Sequence, residues 1–215
     1  MINFNISNFD AVTEIEFSNY ECQHLQKNIA RRMNKLTKIA LDSSLKCIQS
    51  TPIDYIVHAT RFGEIDNFYE MSKILARKES PSPTAFSQST QNSIVGNFSI
   101  VYKRNIPTTS ISACESTFST ALEMAIINLH AKNLSNLLFI YSEPELISFY
   151  KKKISATRPI VFTAVLNKEN EFSYNKMDKT NDENQNSIEV EQIINFIKNK
   201  NKNYINCNNY QIIKR

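Results

Sequence analysis

Groups able to act as nucleophile or base are sparse in this chain of 215 residues. Its four cysteines are Cys22, Cys47, Cys114 and Cys207, and its three histidines are His24, His58 and His130. No two cysteines stand as C-x-x-C, and the histidines are too few to complete a zinc ligand set, so neither a structural metal nor a disulfide framework is implied. A reduced, cytoplasmic protein with no metal and no cofactor is expected. One stretch places reactive groups where chemistry is favoured. Ser112-Ala113-Cys114-Glu115 follows a short strand-like run and precedes an apolar helix. A turn of this kind delivers a side chain to a helix N-terminus, where unpaired N–H groups and the dipole favour negative charge. A thiol held there loses its proton more readily. Cys114 would then be the nucleophile of an acyltransferase or thioesterase, and Glu115 a fixed carboxylate. Two plainer roles compete. Ser112-x-x-Glu115 fits a capping box with Glu115 as its third helical residue, and free cysteine packs well as a small buried side chain.

The partners that such a nucleophile needs are harder to find. The only histidine after Cys114 is His130, deep in the pattern Phe118, Leu122, Ala125, Ile126, Leu129, where it reads as a helix-end cation. His58 lies in a strand-like run and reads as a packed core residue, and His24 has no partner motif. Arg61-Phe62-Gly63-Glu64 reads either as a strand-to-helix turn using the freedom of glycine or as a contact to the elbow.

The elements that must position these groups alternate. Apolar residues from 28 to 48 recur at helical spacing. Asp54 to Ala59 is strand-like, Phe68 to Arg77 is helical, and Glu79 to Ser89, rich in Ser and Pro, reads as a loop. Ile94 to Tyr102 forms a helical stripe that Pro107 follows, and Thr108 to Ser112 is a short strand. Leu137 to Tyr141 and Ile160 to Leu166 are continuous apolar runs of the kind buried on both faces of a layered α/β sheet, with a short helix around Leu146, Phe149 and Tyr150 between them. Ile188 to Ile197 is an amphipathic helix, and Tyr210 to Ile213 a last strand. Residues 174–187 are nearly all polar and are expected to form a flexible linker or loop. The expectation is a main domain over residues 1–173, that linker, and a C-terminal helix and strand over 188–215 completing the same domain. The sheet should be mixed, with the Phe118 to Leu129 helix buried centrally.

Composition excludes several classes. Hydrophobic residues at 41% and charged residues at 21% are ordinary globular values. No apolar run reaches the roughly 18 residues that span a bilayer. The N-terminus has neither the basic start nor the apolar core of a secretory signal. A net charge of +4 is too mild to suggest nucleic acid.

The order of pieces from Ser82 onward resembles the N-terminal half of β-ketoacyl synthases. The corresponding residues are Pro83-Thr84, then Asn92 and Gly96 as N-x-x-x-G, then Pro107, then the elbow. ARRMNKLTKIALDSS (30–44), ATRFGEI (59–65) and SPTAFSQSTQNSIVG (82–96) resemble the short ketosynthase chain-length factors of aryl-polyene and dialkylresorcinol-type biosynthesis. The resemblance covers roughly residues 28–166. It implies a partial thiolase-like layered α/β fold. Counting without gaps from Asn92, Gly96 and Pro107 puts Glu115 at the nucleophile position, and the Ala121-Leu122 pair agrees; the letters Ala113-Cys114 instead suggest Cys114. The family usually shows Gly-Glu at this elbow, and Cys114 departs from that. The resemblance implies a non-catalytic subunit in a heterodimer with a full-length ketosynthase, or a self-dimer when alone, serving acyl carrier protein-bound chains. Pro83, Thr84, Ala85, Phe86, Ser87, Gln88, Asn92 and Gly96 would lie at the tunnel or interface. Ala85 and Phe86 would limit chain length, or Phe86 would simply anchor its loop.

Overall fold

The computed structural model describes residues 1–151, 154, 158–177, 186–207 and 209–215. Its strands are β1 (Ile2–Val12), β2 (Tyr55–Ala59), β3 (Thr108–Ile111), β4 (Leu137–Glu143), β5 (Ile160–Lys176), β6 (Tyr204–Cys207) and β7 (Tyr210–Lys214). The helices are α1 (Glu14–Phe17), α2 (Lys27–Ala30), α3 (Lys35–Ile48), α4 (Ile65–Ala76), α5 (Pro83–Gln88), α6 (Ser93–Tyr102), α7 (Thr117–Ala131), α8 (Ser148–Lys151) and α9 (Asn186–Lys198). The strands form one mixed sheet in the order β3-β2-β4-β5-β7-β6, with β1 also paired to β5. β2 runs parallel to both β3 and β4, and the remaining pairs are antiparallel.

The continuous apolar runs are explained by burial on both faces. In β4, Leu137, Phe139 and Tyr141 face one core while Leu138 and Ile140 face the other. β5 divides likewise, with Phe162, Ala164 and Leu166 on the first face and Val161 and Val165 on the second. α7 and α9 cover the first face; α3 and α6 cover the second. Alternation with period two along each strand therefore feeds two separate layers. α7 buries Phe118, Ala121, Leu122, Ala125, Ile126 and Leu129, as expected for a central helix. Phe118 sits edge-on to Phe139 and Tyr141, with ring centroids 5.7 and 5.2 Å away.

Several expected elements differ. The helix expected over 28–48 is interrupted: Asn34 is extended at φ −74°, ψ 167° and begins α3 afresh. The Ser/Pro stretch contains α5, because the Ser82 hydroxyl accepts from the Ala85 N–H at 3.1 Å and Pro83 occupies the first turn, where its missing donor costs nothing. The polar segment expected from Tyr174 begins later, since Tyr174, Asn175 and Lys176 complete β5 and pair with β7. Residues 178–185 of that expected linker lie outside the described residues. β1 and β6 are additional to the strands that the sequence pattern suggests.

Candidate functional site

The elbow lies between β3 and α7. After Ile111 the chain turns through Ala113 at φ −140°, ψ 44° and Cys114 at φ 50°, forms a single 3-10 turn over Cys114–Ser116, and enters α7. Cys114 thus holds left-handed backbone, which costs a side chain-bearing residue about 1–2 kcal/mol and glycine almost nothing. Thr117 closes the turn. Its hydroxyl donates to the Cys114 carbonyl at 2.7 Å and accepts from the Ala113 N–H at 2.9 Å.

The capping box does not form. The Ser112 hydroxyl instead donates to the Arg61 carbonyl at 3.4 Å, and the Glu115 carboxylate faces Arg61. Arg61 Nη1 donates to Glu115 Oε2 at 2.8 Å and Nη2 donates to Oε1, a bidentate fork. The same guanidinium lies 4.7 Å from the centroid of the Phe62 ring. Of the two roles open to Arg61-Phe62-Gly63-Glu64, the structure contains both. Gly63 turns the chain at φ 55°, and Arg61 reaches the elbow. Cys114 is exposed, which contradicts the expectation of a small buried residue; the left-handed turn carries it outward from the packed start of α7.

A cleft of about 260 Å³ adjoins the elbow, lined by Arg61, Phe62, Gly63, Phe68, Gln91 and Ser112 among others. Beneath it lies Glu143, the last residue of β4 and 1% exposed. Its Oε1 accepts from the Arg61 N–H at 2.6 Å and its Oε2 from the Phe62 N–H at 3.3 Å. Burial pushes this carboxyl up to about 7, against the opposing pull of the Arg61 N–H, the Tyr141 hydroxyl, the Phe62 N–H and, least, the Arg61 charge. Glu64 is buried next to the same loop, accepting from Thr37 Oγ1 at 2.5 Å and Asn34 Nδ2 at 3.2 Å, and burial also raises it.

None of the three histidines is described as bonded to the elbow turn. His58 is fully buried in β2 with Nε2 3.1 Å from Ser142 Oγ, and burial lowers it to about 4. His130 ends α7 with Nε2 2.6 Å from the Asn3 carbonyl. His24 is exposed, and only its main-chain N–H is described as bonded: it donates to Asp42, the buried carboxylate that also gathers the Leu25 main-chain N–H and the Tyr20 hydroxyl. Among the described residues no group of three His, Cys, Asp or Glu side chains could hold a metal ion, and no helix is long and apolar enough to cross a membrane.

The residues expected at the tunnel or interface lie on α5 and at the start of α6. Phe86 is 61% exposed, so it does not anchor its own segment. α5 is fastened by other groups: the Gln88 amide donates to the Arg32 carbonyl and the Asn67 amide to the Gln88 carbonyl. Thr84 and Ser87 offer carbonyls to the hydroxyls of Ser87 and Thr90, and Ala85 supplies the capped N–H. Asn92 begins α6, its carbonyl accepting from the Gly96 N–H. A Cβ on Gly96 would meet nothing within 4 Å, and Ile100, one turn on along the same face, is 67% exposed.

The sequence matches the model of the beta-ketoacyl synthase N-terminal domain over residues 8–210, and the chain belongs to that family. No curated protein matches it. Among solved structures, a chain of the complex of a ketosynthase (ApeO) with its chain length factor (ApeC) from Xenorhabdus doucetiae superposes with a TM-score of 0.81 at 23% identity, covering 100% of both chains. The ishigamide ketosynthase/chain length factor gives 0.65 at 12% identity, over 82% of this chain and 68% of that one. A type II polyketide synthase acyl-carrier protein complex with its ketosynthase, AntDE:AntF, gives 0.60 at 10%, over 82% and 69%. The fold is the thiolase-like fold of the ketosynthases.

Proposed function

We propose that this chain is a non-catalytic, chain-length-factor-type subunit that pairs with a full-length ketosynthase in the cytoplasm. Together they would extend chains bound to acyl carrier protein, in polyene or fatty-acid-like synthesis. The observation that carries the reading is the Glu115 carboxylate, forked onto Arg61 at the start of α7. A carboxylate there cannot form the thioester that loads an acyl chain. The left-handed backbone at Cys114 supports the ungapped register, because the glycine that the family usually shows before this Glu suits that conformation. No histidine hydrogen bond reaches the Glu115 carboxylate among those described, so the polarising groups that decarboxylative condensation needs would come from the partner.

The outer surface supports the partnership. Gly96 sits mid-helix, where glycine is unfavourable by about 1 kcal/mol against Ala, yet among the described residues nothing lies within 4 Å of where its side chain would start. Ile100 and Phe86 are exposed nearby in sequence, and β3 is an edge of the sheet. Pairing there would relieve unpaired backbone groups and bury an obligate-sized surface of about 2,000 Å². Similarity to a ketosynthase solved with its chain length factor agrees with this arrangement. The test is co-expression with the ketosynthase of the same gene neighbourhood, followed by size-exclusion chromatography. Co-elution is expected, and separate elution overturns the pairing.

The exposure of Cys114 keeps one alternative in play, a stand-alone acyltransferase or thioesterase using that thiol. Incubating the chain alone with acyl-CoA and mapping adducts by mass decides it. Acylated Cys114 supports that alternative, and an unmodified thiol removes it.

A further inference from the structure

After β2, the main-chain N–H groups of residues 60–63 are all bonded. Thr60 donates to the Ile111 carbonyl at 3.1 Å, Arg61 and Phe62 donate to the two oxygens of Glu143, and Gly63 donates to Thr60 Oγ1 at 2.8 Å. The Arg61 carbonyl takes the Ser112 hydroxyl. Two of these bonds depend on one side chain from a different strand. Burial pushes Glu143 up to about 7, so above that pH it is an ionised carboxylate satisfying two amides in a dry interior, where a neutral acceptor would cost less. The cost has a return only if the negative charge matters, and the one cation carried by the loop is Arg61, whose charge acts on Glu143. Arg61 therefore lies between a buried carboxylate beneath it and the Glu115 carboxylate at the elbow.

We propose that Glu143 is a positioning residue of the elbow: it clasps the Arg61 and Phe62 amides, thereby fixes Arg61, and through Arg61 holds the Glu115 carboxylate at the start of α7. The proposal rests on the reading of Glu115 as the fixed occupant of the nucleophile position. It adds that this occupancy is governed from the carboxyl end of β4 rather than by the elbow's own residues. With the clasp in place, Arg61 neutralises Glu115. Without it, Arg61 is released and Glu115 stands uncompensated next to Cys114, where its charge opposes formation of the thiolate.

Cys114 reports this directly, since it is exposed and adjacent to Glu115. The isolated chain is alkylated with iodoacetamide at pH 8, the Cys114 thiolate displacing iodide, and the modified site is read by peptide mass so that Cys22 is counted separately. Glu143→Gln is expected to slow Cys114 alkylation about threefold, the effect of one unscreened neighbouring charge. Arg61→Ala should slow it as much, and the double variant should be no slower than either single one, because both act on the same link. An unchanged rate in Glu143→Gln, or effects that add, overturns the proposal. A merely structural role would lower the unfolding midpoint without this non-additivity. Should Glu143→Gln not fold, amide exchange on the wild-type chain decides: the Arg61 and Phe62 amides should exchange at least tenfold more slowly than free loop amides, and unprotected amides refute the clasp. No ketosynthase is present in either measurement, so failure of the pairing leaves this test intact.

Discussion

Replacing Gly96 by Ala should have opposite effects on the isolated chain and on its complex. Gly96 is in the interior of α6, is exposed, and would present an added methyl to open space. Helix propensity then sets the sign for the isolated chain. Ala is favoured over Gly by about 0.8–1 kcal/mol in a helix interior, partly because it restricts the unfolded chain. In a chain of this size that gain should raise the unfolding midpoint by roughly 2–4 °C. The partner, by contrast, should lose the close approach that a bare backbone permits. Thermal unfolding of dilute Gly96→Ala, followed by circular dichroism, measures the first effect, and co-elution with the ketosynthase measures the second. Gly96→Leu should abolish co-elution while leaving the isolated chain folded. A lower midpoint for Gly96→Ala at low concentration would refute the reasoning, since it would mean that the space is filled within the chain itself. A gain in stability with undiminished pairing would remove α6 from the interface.

Four further outcomes follow from the same geometry. Glu189 of α9 is 5% exposed, and burial against Tyr174, Tyr210 and Cys207 pushes it up to about 7, with only the Tyr210 contact opposing; the folded chain then keeps a proton that the unfolded chain releases, so stability should fall as pH rises from 4.5 to 7, by on the order of 3 kcal/mol, and Glu189→Gln should flatten urea midpoints over that window. Glu143 contributes in the same direction, so the variant should keep part of the slope. Phe118→Ala removes a fully buried ring at the junction of α7, β4 and β5 and should cost about 3–5 kcal/mol in chemical denaturation. Cys114→Gly should be neutral to stabilising by up to about 1 kcal/mol, since glycine relieves the left-handed strain but loosens the unfolded chain, and it should leave a reconstituted synthase pair active. On the proposed tunnel role of Phe86, Phe86→Ala should lengthen the products of that pair, read by mass, because removing the ring would deepen the tunnel without touching the partner's thiolate; unchanged product length would remove Phe86 from the tunnel.

What was legible in the sequence follows physical locality. The runs Leu137 to Tyr141 and Ile160 to Leu166 announced two-sided burial because their partners on both faces are apolar helices, and the α7 stripe did the same. β1 was hidden because its alternation of Ile2, Phe4 and Ile6 is filled with asparagines, which are poor strand formers, and because it pairs with β5 at the other end of the chain. α5 was readable in principle, as Ser82-Pro83 is a helix start, but the density of Ser and Pro suggested a loop. At the elbow, Arg61 and Glu115 could be singled out by motif. Glu143 could not. It ends the apolar run LLFIYSE, and its role exists only once β4 lies beside β2 and brings it to amides 82 and 81 positions earlier.

Two terminal strands of the sheet, β6 and β3, are not equivalent, and this bears on where a partner can dock. Beyond β5 the sheet is extended by β7 and β6, and the outermost strand β6 follows Lys198, Lys200 and Lys202, all exposed. Lysines beside an edge discourage another strand from adding to it. At the opposite edge, β3 reads Thr108-Thr109-Ser110-Ile111, without a charge or a bulge, and its inner side is paired in regular parallel register with β2. Its outer side leads straight into the elbow, and α6 precedes it with Gly96 and Ile100 exposed. A partner strand added to β3 would therefore bring the partner's own residues to the start of α7, beside Glu115. That geometry joins the two halves of the proposed function: of these two edges, the one that more invites pairing would place this chain's elbow, with its Glu115 carboxylate, next to another subunit.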